Sequence, residues 1–293
     1  MDCVIERPAQ ATVASSNLHS FPTLIQRIYQ RRGISLAEEV NHAMAGLASY
    51  HQLKGIDVAT KRIAAAIKAQ QHILIVGDYD ADGATSTTVA LLLLKKMGAK
   101  HLSYIVPNRF EYGYGLSCAI VDLAAQQQPD LIITVDNGIS SCEGAAHARS
   151  LGIDVVVTDH HLAGKQLPQA TAIVNPNQPG DSFISKNLAG VGVIFYVMAS
   201  LRSYLQAEGY FEQQQLPLPR MADVLDIVAL GTVCDVVPLD HNNRILVWQG
   251  LQRMRQGLLR PGIAALLKLA KRDQRFVTAT DLGFGVGPRL NAA

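Results

Sequence analysis

Three aspartates stand within five residues at Asp78, Asp80 and Asp82, and no basic residue occurs between Lys68 and Lys95. Like charges this close repel by about 1 kcal/mol per pair near 4 Å even in bulk water, and more in a cleft, unless a cation or a proton intervenes. The segment therefore asks for a cation; the alternative is a solvated acidic turn. Acids recur after other apolar runs. Asp136-Asn137-Gly138 follows Val135, Asp159-His160-His161 follows Thr158, and Asp235 follows a run that begins at Ile227 and passes through Gly231-Thr232-Val233-Cys234. One acidic turn can be accidental, but four segments that end alike point to a shared site.

Oxygen donors from several aspartates, joined by one or two histidines, suit a hard or borderline divalent ion, Mg²⁺ or Mn²⁺, better than zinc. Two ions are expected, with one carboxylate between them. Such a pair can activate water near neutral pH and clamp the attacking and leaving oxygens of a phosphoryl centre. The adjacent His160 and His161 cannot easily ligate the same ion, so one is expected to ligate and the other, protonated, to donate to a phosphate oxygen. Two satisfied surface histidines are the plain alternative. The spacing of Asp78, Asp80, Asp82 and Gly83 also opens like an EF-hand calcium loop, but the position that needs a bidentate Glu is Val89 and an apolar strand precedes the loop. A haloacid-dehalogenase arrangement, a strand followed by Asp-x-Asp, survives that test, and the recurrence of acids on the other runs weighs against it.

The elements that must carry these residues follow from hydrophobic patterning. His72 to Val76 is a continuous β-branched run ending at Gly77, and helical sequence follows from Ala84 to Met97. Leu102 to Val106, Leu131 to Val135 and Val155 to Thr158 repeat the run, with helical segments at Ser117 to Gln126 and Ser141 to Leu151 between them. Runs without alternation imply strands buried on both faces. The pattern predicts an α/β fold: an open, mostly parallel sheet flanked by helices, with a helical N-terminal lead-in and a helical C-terminal segment. In such a sheet the acids converge outside the carboxyl ends of the strands although they are far apart in sequence. The lead-in runs from Phe21 to about Ala69, with Leu24, Ile28, Val40, Met44 and Leu47 at helical spacing and Ser35 and Asp57 placed as caps. After Pro179 the helical segments are Leu188 to Ala207, Met221 to Leu230, Arg244 to Gln256 and Gly262 to Lys271.

At 293 residues, with 48% apolar and 17% charged residues, the chain can bury a large core and is not a disordered protein. The apolar stretch from Asn187 to Leu201 is broken by Gly190 and Gly192 and is too short to span a bilayer. The first twenty residues lack a secretory signal pattern, so no membrane association is expected and the cytoplasm is the expected compartment. Cys3, Cys118, Cys142 and Cys234 lie far apart, which argues against disulfides and zinc and for buried, reduced thiols. Residues 250–293 carry a net charge of +6 against −4 for the remainder. That is either a phosphate-contacting surface or a solvated helix face. Directly after one strand, Asn108 and Arg109 are candidate phosphate contacts, Arg109 as a clamp. Tyr112 and Tyr114 either stack on bases or fill a glycine-rich turn.

Asp78-Tyr-Asp80-Ala-Asp82-Gly83, Asp136-Asn137-Gly138 and Asp159-His160-His161 together resemble the DHH phosphoesterase superfamily. Val76 to Thr87, Val106 to Leu116, Leu188 to Val193 and Gly231 to Leu239 are similar to its RecJ branch of single-stranded-DNA exonucleases. The resemblance spans all but the first twenty or so residues. It implies a two-metal enzyme that removes mononucleotides from the 5′ end of single-stranded DNA in recombination and repair. Carried over by position, it implies that Asp80 and Asp82 hold one ion each, that Asp136 bridges them, and that His160 and Asp235 complete the second site, with Asp78 assisting the first. His161 and Arg109 would bind the scissile phosphate, and Asp159 would orient the neighbouring histidine ligand. Arg289, in the segment Gly287-Pro-Arg-Leu-Asn, is a further expected phosphate or DNA contact. Pyrophosphatase relatives place a His where this sequence has Val76, which counts against that activity. A DHH enzyme acting on short oligonucleotides or cyclic dinucleotides is the alternative, as is a fragment that binds metal or a partner without turnover.

The expected organisation is a helical lead-in over 1–55, the catalytic α/β domain over 56–240 and a helical linker over 241–293. The family motif at the end of the chain normally continues, so the resemblance implies an N-terminal part whose further domains are absent. Single-stranded DNA is the expected partner, with other repair proteins as further partners and a monomer as the expected state.

Overall fold

The computed structural model describes residues 17–107 and 115–292. The continuous apolar runs form the strands β1 (Ile73–Gly77), β2 (Leu102–Ile105), β3 (Leu131–Val135) and β4 (Asp154–Thr158), joined by a short β5 (Ala172–Val174). All pair in parallel in the order β2-β1-β3-β4-β5. Every residue of β1 and β3 is buried. Ile73, Ile75, Leu131 and Ile133 enter the larger core, whereas Leu74, Val76 and Ile132 enter a smaller core on the opposite face. Helices therefore cover both faces, which is why these strands show no polar alternation.

The larger core is closed by α2 (Ile56–Lys68), α3 (Ala81–Lys96), α6 (Gly190–Ala207) and α8 (Leu225–Cys234), and the smaller by α4 (Cys118–Ala125) and α5 (Cys142–Ser150). Outside these lie α1 (Thr23–Arg31), α7 (Tyr210–Gln213), α9 (His241–Arg255), α10 (Pro261–Leu269) and α11 (Gly287–Asn291). Leu246, Leu251, Met254, Leu267 and Leu282 of the C-terminal segment are buried in the larger core. Among the described residues no helix is long and apolar enough to cross a membrane.

The chain leaves β1 toward β2 on one side and returns to β3 on the other, so the connections diverge at the carboxyl ends of β1 and β3 and open a crevice there. Gly77 is the register partner of Val135, and Val135 of Thr158. Asp78, Asp136 and Asp159 are thus the next residues on three adjacent strands, which run about 4.8 Å apart.

Several expectations are corrected. In the lead-in only α1 and α2 are α-helical, and Leu24 and Ile28 of α1 are exposed. The stretch between them forms short 3₁₀ turns, and at the junction of the first two Asn41 Oδ1 accepts from Ala43 N–H, a local bond that competes with helical bonding. The N-cap of α2 is Gly55 in the left-handed region (φ +81°), where a Cβ would lie 2.2 Å from the Ile173 carbonyl oxygen; Asp57 sits inside the first turn. Helix α3 begins three residues early because Asp80 caps it, accepting from Gly83 N–H at 2.9 Å. The helix expected over Met221 to Leu230 begins with a 3₁₀ turn at Met221–Val224 and continues as α8, which runs four residues further, to Cys234, and is buried along nearly its whole length. Of the cysteines, Cys118 is exposed and Cys142 and Cys234 are half-buried, and all three are free thiols. Cys3 lies outside the described residues.

Candidate metal centre

Asp78 and Asp80 reach the crevice from the turn between β1 and α3, and Asp82 from the first turn of α3. Asp82 is 1% exposed, and its carboxylate is held by another helix start: Oδ2 accepts from Gly190 N–H at 2.6 Å and Oδ1 from Val191 N–H at 3.0 Å. Free N–H groups at a helix N-terminus are natural carboxylate partners. Gly190 is required for a second reason, since a Cβ there would lie 2.6 to 2.8 Å from the Asp136 side chain.

Asp136 follows β3 in the left-handed conformation (φ +61°), which an aspartate tolerates better than most residues. Its N–H donates to the Thr158 carbonyl at 3.0 Å. The neighbouring Asn137 donates to the carbonyls of Val76 (3.0 Å) and Val135 (2.9 Å), tying the ends of β1 and β3 together.

Beyond β4, Asp159 is 1% exposed and accepts from His161 Nδ1 at 2.7 Å, from the N–H groups of His160 and His161, and from Ile139 N–H. Asn177 and Asn175 donate to the carbonyls of His160 and His161, so the two-histidine turn is fixed from both sides. His160 Nε2 lies 3.1 Å from Asp136 Oδ1 and 3.5 Å from Asp235 Oδ2. Asp235 enters from the C-cap of α8, and the following Val236 adopts φ +61°. For a β-branched residue that conformation costs about 1–3 kcal/mol and persists only where the surroundings impose it.

Burial, and then the neighbouring Asp235 and Asp80, push the Asp82 carboxyl well above its usual range. Burial followed by Asp82 and Asp80 does the same to Asp136, and burial with Asp80 pushes Asp235 up to about 7. Burial and the adjacent His161 push His160 down to about 4, leaving it neutral and able to ligate. His161 is raised by its hydrogen bond to Asp159 and keeps a proton more readily than a free histidine.

The candidate ligand atoms form groups within 4.8 Å of one another: Asp78, Asp80 and Asp136; Asp82, His160 and Asp235; and Asp136, His160 and His161. His160 Nε2 and Asp235 Oδ2 are buried without a hydrogen-bond partner. Burying such atoms bare is costly, and a cation offsets both that cost and the repulsion among the carboxylates. The donor set fits a divalent ion that prefers oxygen with some nitrogen.

Asp78, Asp80, Asp82, Asp136, Asp159, His160, His161 and Asp235 therefore meet in one crevice. Asp159 takes the ring of His161, not that of His160, which it reaches only through the backbone N–H. Asn108 and Arg109 lie outside the described residues. Arg289 is exposed and donates to the Gly285 carbonyl, and no described contact joins it to the acids. Residue types alone do not disclose the Gly190 and Val191 N–H groups. Nor do they disclose Gly231, where a Cβ would meet Thr85 Oγ1 at 2.1 Å and Asp82 Oδ1 at 3.0 Å. The Gly190-x-Gly192 spacing before an apolar helix is the signal that could have pointed to that close approach.

A family model described as the DHH family, N-terminal domain, matches residues 72–232. The single-stranded-DNA-specific exonuclease RecJ of Escherichia coli (strain K12) is 53% identical over 272 residues, covering 93% of this chain and 47% of that protein. The protein of the same name from Dickeya dadantii is 50% identical over 293 residues, covering all of this chain and 51% of its own. The chain thus spans about half the length of the curated relatives it matches. A crystal structure of exonuclease RecJ bound to manganese is similar with a TM-score of 0.70 at 32% identity, covering 82% of this chain and 57% of that one. RecJ in complex with Mn²⁺ from Thermus thermophilus gives 0.67 at 30% identity, covering 90% of this chain and 36% of that one. With the match extending over more than half of its residues, including all five strands, Asp78, Asp80, Asp82, Asp136 and both histidines of the crevice, this chain belongs to the DHH family.

Proposed function

We propose that the chain forms the metal-holding part of a 5′→3′ exonuclease specific for single-stranded DNA, hydrolysing phosphodiester bonds with two Mn²⁺ or Mg²⁺ ions and releasing 5′-mononucleotides. The observation that carries the reading is the pairing of two oxygen-rich ligand groups in one crevice, with His160 Nε2 and Asp235 Oδ2 buried there without hydrogen bonds. The names of the relatives, and the manganese in two of their structures, support the same reading.

Asp78, Asp80 and Asp136 would hold one ion and Asp82, His160 and Asp235 the other, with Asp136 between them. When bound, such a pair supplies positive charge at the phosphorus and lowers the pKa of water. The remaining tasks fall to the chain's own groups. Asp159 aims the half-exposed His161 ring and keeps its proton, suiting it to donate to a phosphate oxygen. Asn108, Arg109 and Arg289 would contact the phosphates of the strand, and the basic C-terminal segment would add to its attraction. Recombination and repair in the cytoplasm, as a monomer with other repair proteins as partners, complete the reading; the free thiols accord with a reducing compartment.

Hydrolysis of a 5′-labelled long single strand compared with a dinucleotide, both with Mn²⁺, tests it. Preference for the long strand with mononucleotide product supports the proposal. Preference for the dinucleotide replaces it with a short-substrate phosphodiesterase. Mn²⁺ binding without turnover replaces it with a chain that binds metal without hydrolysis.

A further inference from the structure

Asn243 is fully buried in the first turn of α9, and its side chain bonds to neither that helix nor solvent. Its Nδ2 donates to the carbonyl oxygens of Asn187, at 2.6 Å, and Pro238, at 3.0 Å. These two carbonyls belong to two chain segments that lead to the crevice, one to the groups that hold Asp82 and the other to Asp235. Asn187 lies three residues before Gly190, whose N–H and that of Val191 hold the Asp82 carboxylate. Pro238 lies three residues after Asp235, across the left-handed Val236.

The same junction is reinforced through Asp240, the N-cap of α9, which accepts from Asn243 N–H at 3.0 Å, from Ser185 Oγ at 2.7 Å and from Asn187 Nδ2 at 3.4 Å. The orientation of the Asn243 amide is fixed by its partners, since turning it over would set its oxygen against two carbonyl oxygens. As placed, both N–H groups are used while Oδ1 is buried without a hydrogen bond. The site therefore selects a double donor and sacrifices the acceptor.

We infer that Asn243 is a positioning residue: one buried amide that latches the Asn187 and Pro238 segments together and so sets the separation of Asp82 from Asp235. Both of these acids belong to the group with His160, whereas Asp78, Asp80 and Asp136 come from the ends of β1 and β3, which Asn137 already ties. The latch should therefore affect the ion position among Asp82, His160 and Asp235 more strongly than the other. This rests on the two-ion reading proposed above.

The test is calorimetric titration with Mn²⁺ of the wild-type chain and of Asn243→Asp, Asn243→Ala and Met254→Ala, with thermal melts of each. Asn243→Asp keeps the shape and turns donors into acceptors that face two carbonyls. Asn243→Ala removes the donors without adding charge and serves if the first variant does not fold. Met254→Ala creates a core defect three turns further along the same helix and controls for general loosening. The latch predicts about tenfold weaker binding of one of the two ions in either Asn243 variant, the range typical of groups that orient ligands, with the other ion within about twofold of wild type. Met254→Ala should lower Tm and leave both affinities in place. Unchanged affinities in both Asn243 variants, or equal weakening of both ions, would overturn the latch. A wild-type chain that binds no Mn²⁺ would overturn the two-ion reading and the latch with it.

Discussion

His160 Nε2 sits 3.1 Å from Asp136 Oδ1, although the two residues leave different strands and the histidine is held neutral by burial. This contact joins the two ligand groups, since Asp136 belongs with Asp78 and Asp80 while His160 belongs with Asp82 and Asp235. Asp136 belongs to one of these groups and lies against His160 of the other, and it adopts a left-handed backbone, φ +61°.

Replacing Asp136 should therefore cost more than replacing a residue of one group. Asp136→Ala is expected to lower kcat on a single-stranded oligonucleotide by more than about a hundredfold, since under the proposed two-ion reading its carboxylate would serve both ions. Steady-state hydrolysis with Mn²⁺ checks this; activity within about tenfold of wild type would end the shared-carboxylate account.

Gly190→Ala places a methyl group 2.6 to 2.8 Å from the Asp136 side chain at the helix start that also binds Asp82. Overpacking of this kind destabilises by about 1–3 kcal/mol. Lower Tm together with weaker Mn²⁺ binding is expected, whereas a Tm loss with unchanged affinity would mean that the clamp yields without disturbing the acids.

The raised carboxyls set the sign of a pH effect. A carboxyl whose folded pKa lies above its unfolded value adds stability at low pH that is lost as pH rises through the folded value. For Asp235 that window runs from the ordinary 3.8 to about 7. Without divalent ions, the Tm of wild type relative to Asp235→Asn should fall between about pH 4 and 7; His160, held down at about 4, contributes the opposite slope to both proteins. Metal and protons compete for the same oxygens. Mn²⁺ affinity should accordingly rise over that interval, with proton release visible as a dependence of the titration heat on buffer ionisation enthalpy.

Asp159→Asn tests the aiming of His161. The carboxylate raises the pKa of His161. Activity that needs the protonated ring should fall as pH rises through that value, and in the variant it should fall at lower pH. A pH–rate profile whose basic limb does not move would remove His161 from the role of proton-bearing donor.

The strands and acids were legible because their residue types disclose them: unbroken β-branched runs can only be buried strands or buried helix, and acids in repeated turns have few structural uses. Asp235 was legible as a member, and the helix that leads to it was legible over Met221 to Leu230; the packing of α8 between α3, α6 and α9, which brings Asp235 to the crevice, was not. What holds the acids was not legible. Gly190 and Val191 act through backbone N–H groups that any residue carries, and Asn243 acts across 56 positions on a carbonyl. The three-residue β5 and the exposed thiol of Cys118 likewise follow from tertiary placement and not from local pattern.

Anomalous diffraction from crystals soaked in Mn²⁺ tests the central claim most directly. Two peaks are predicted, one among Asp78, Asp80 and Asp136 and one among Asp82, His160 and Asp235. A single peak, or manganese bound only outside this crevice, would contradict it.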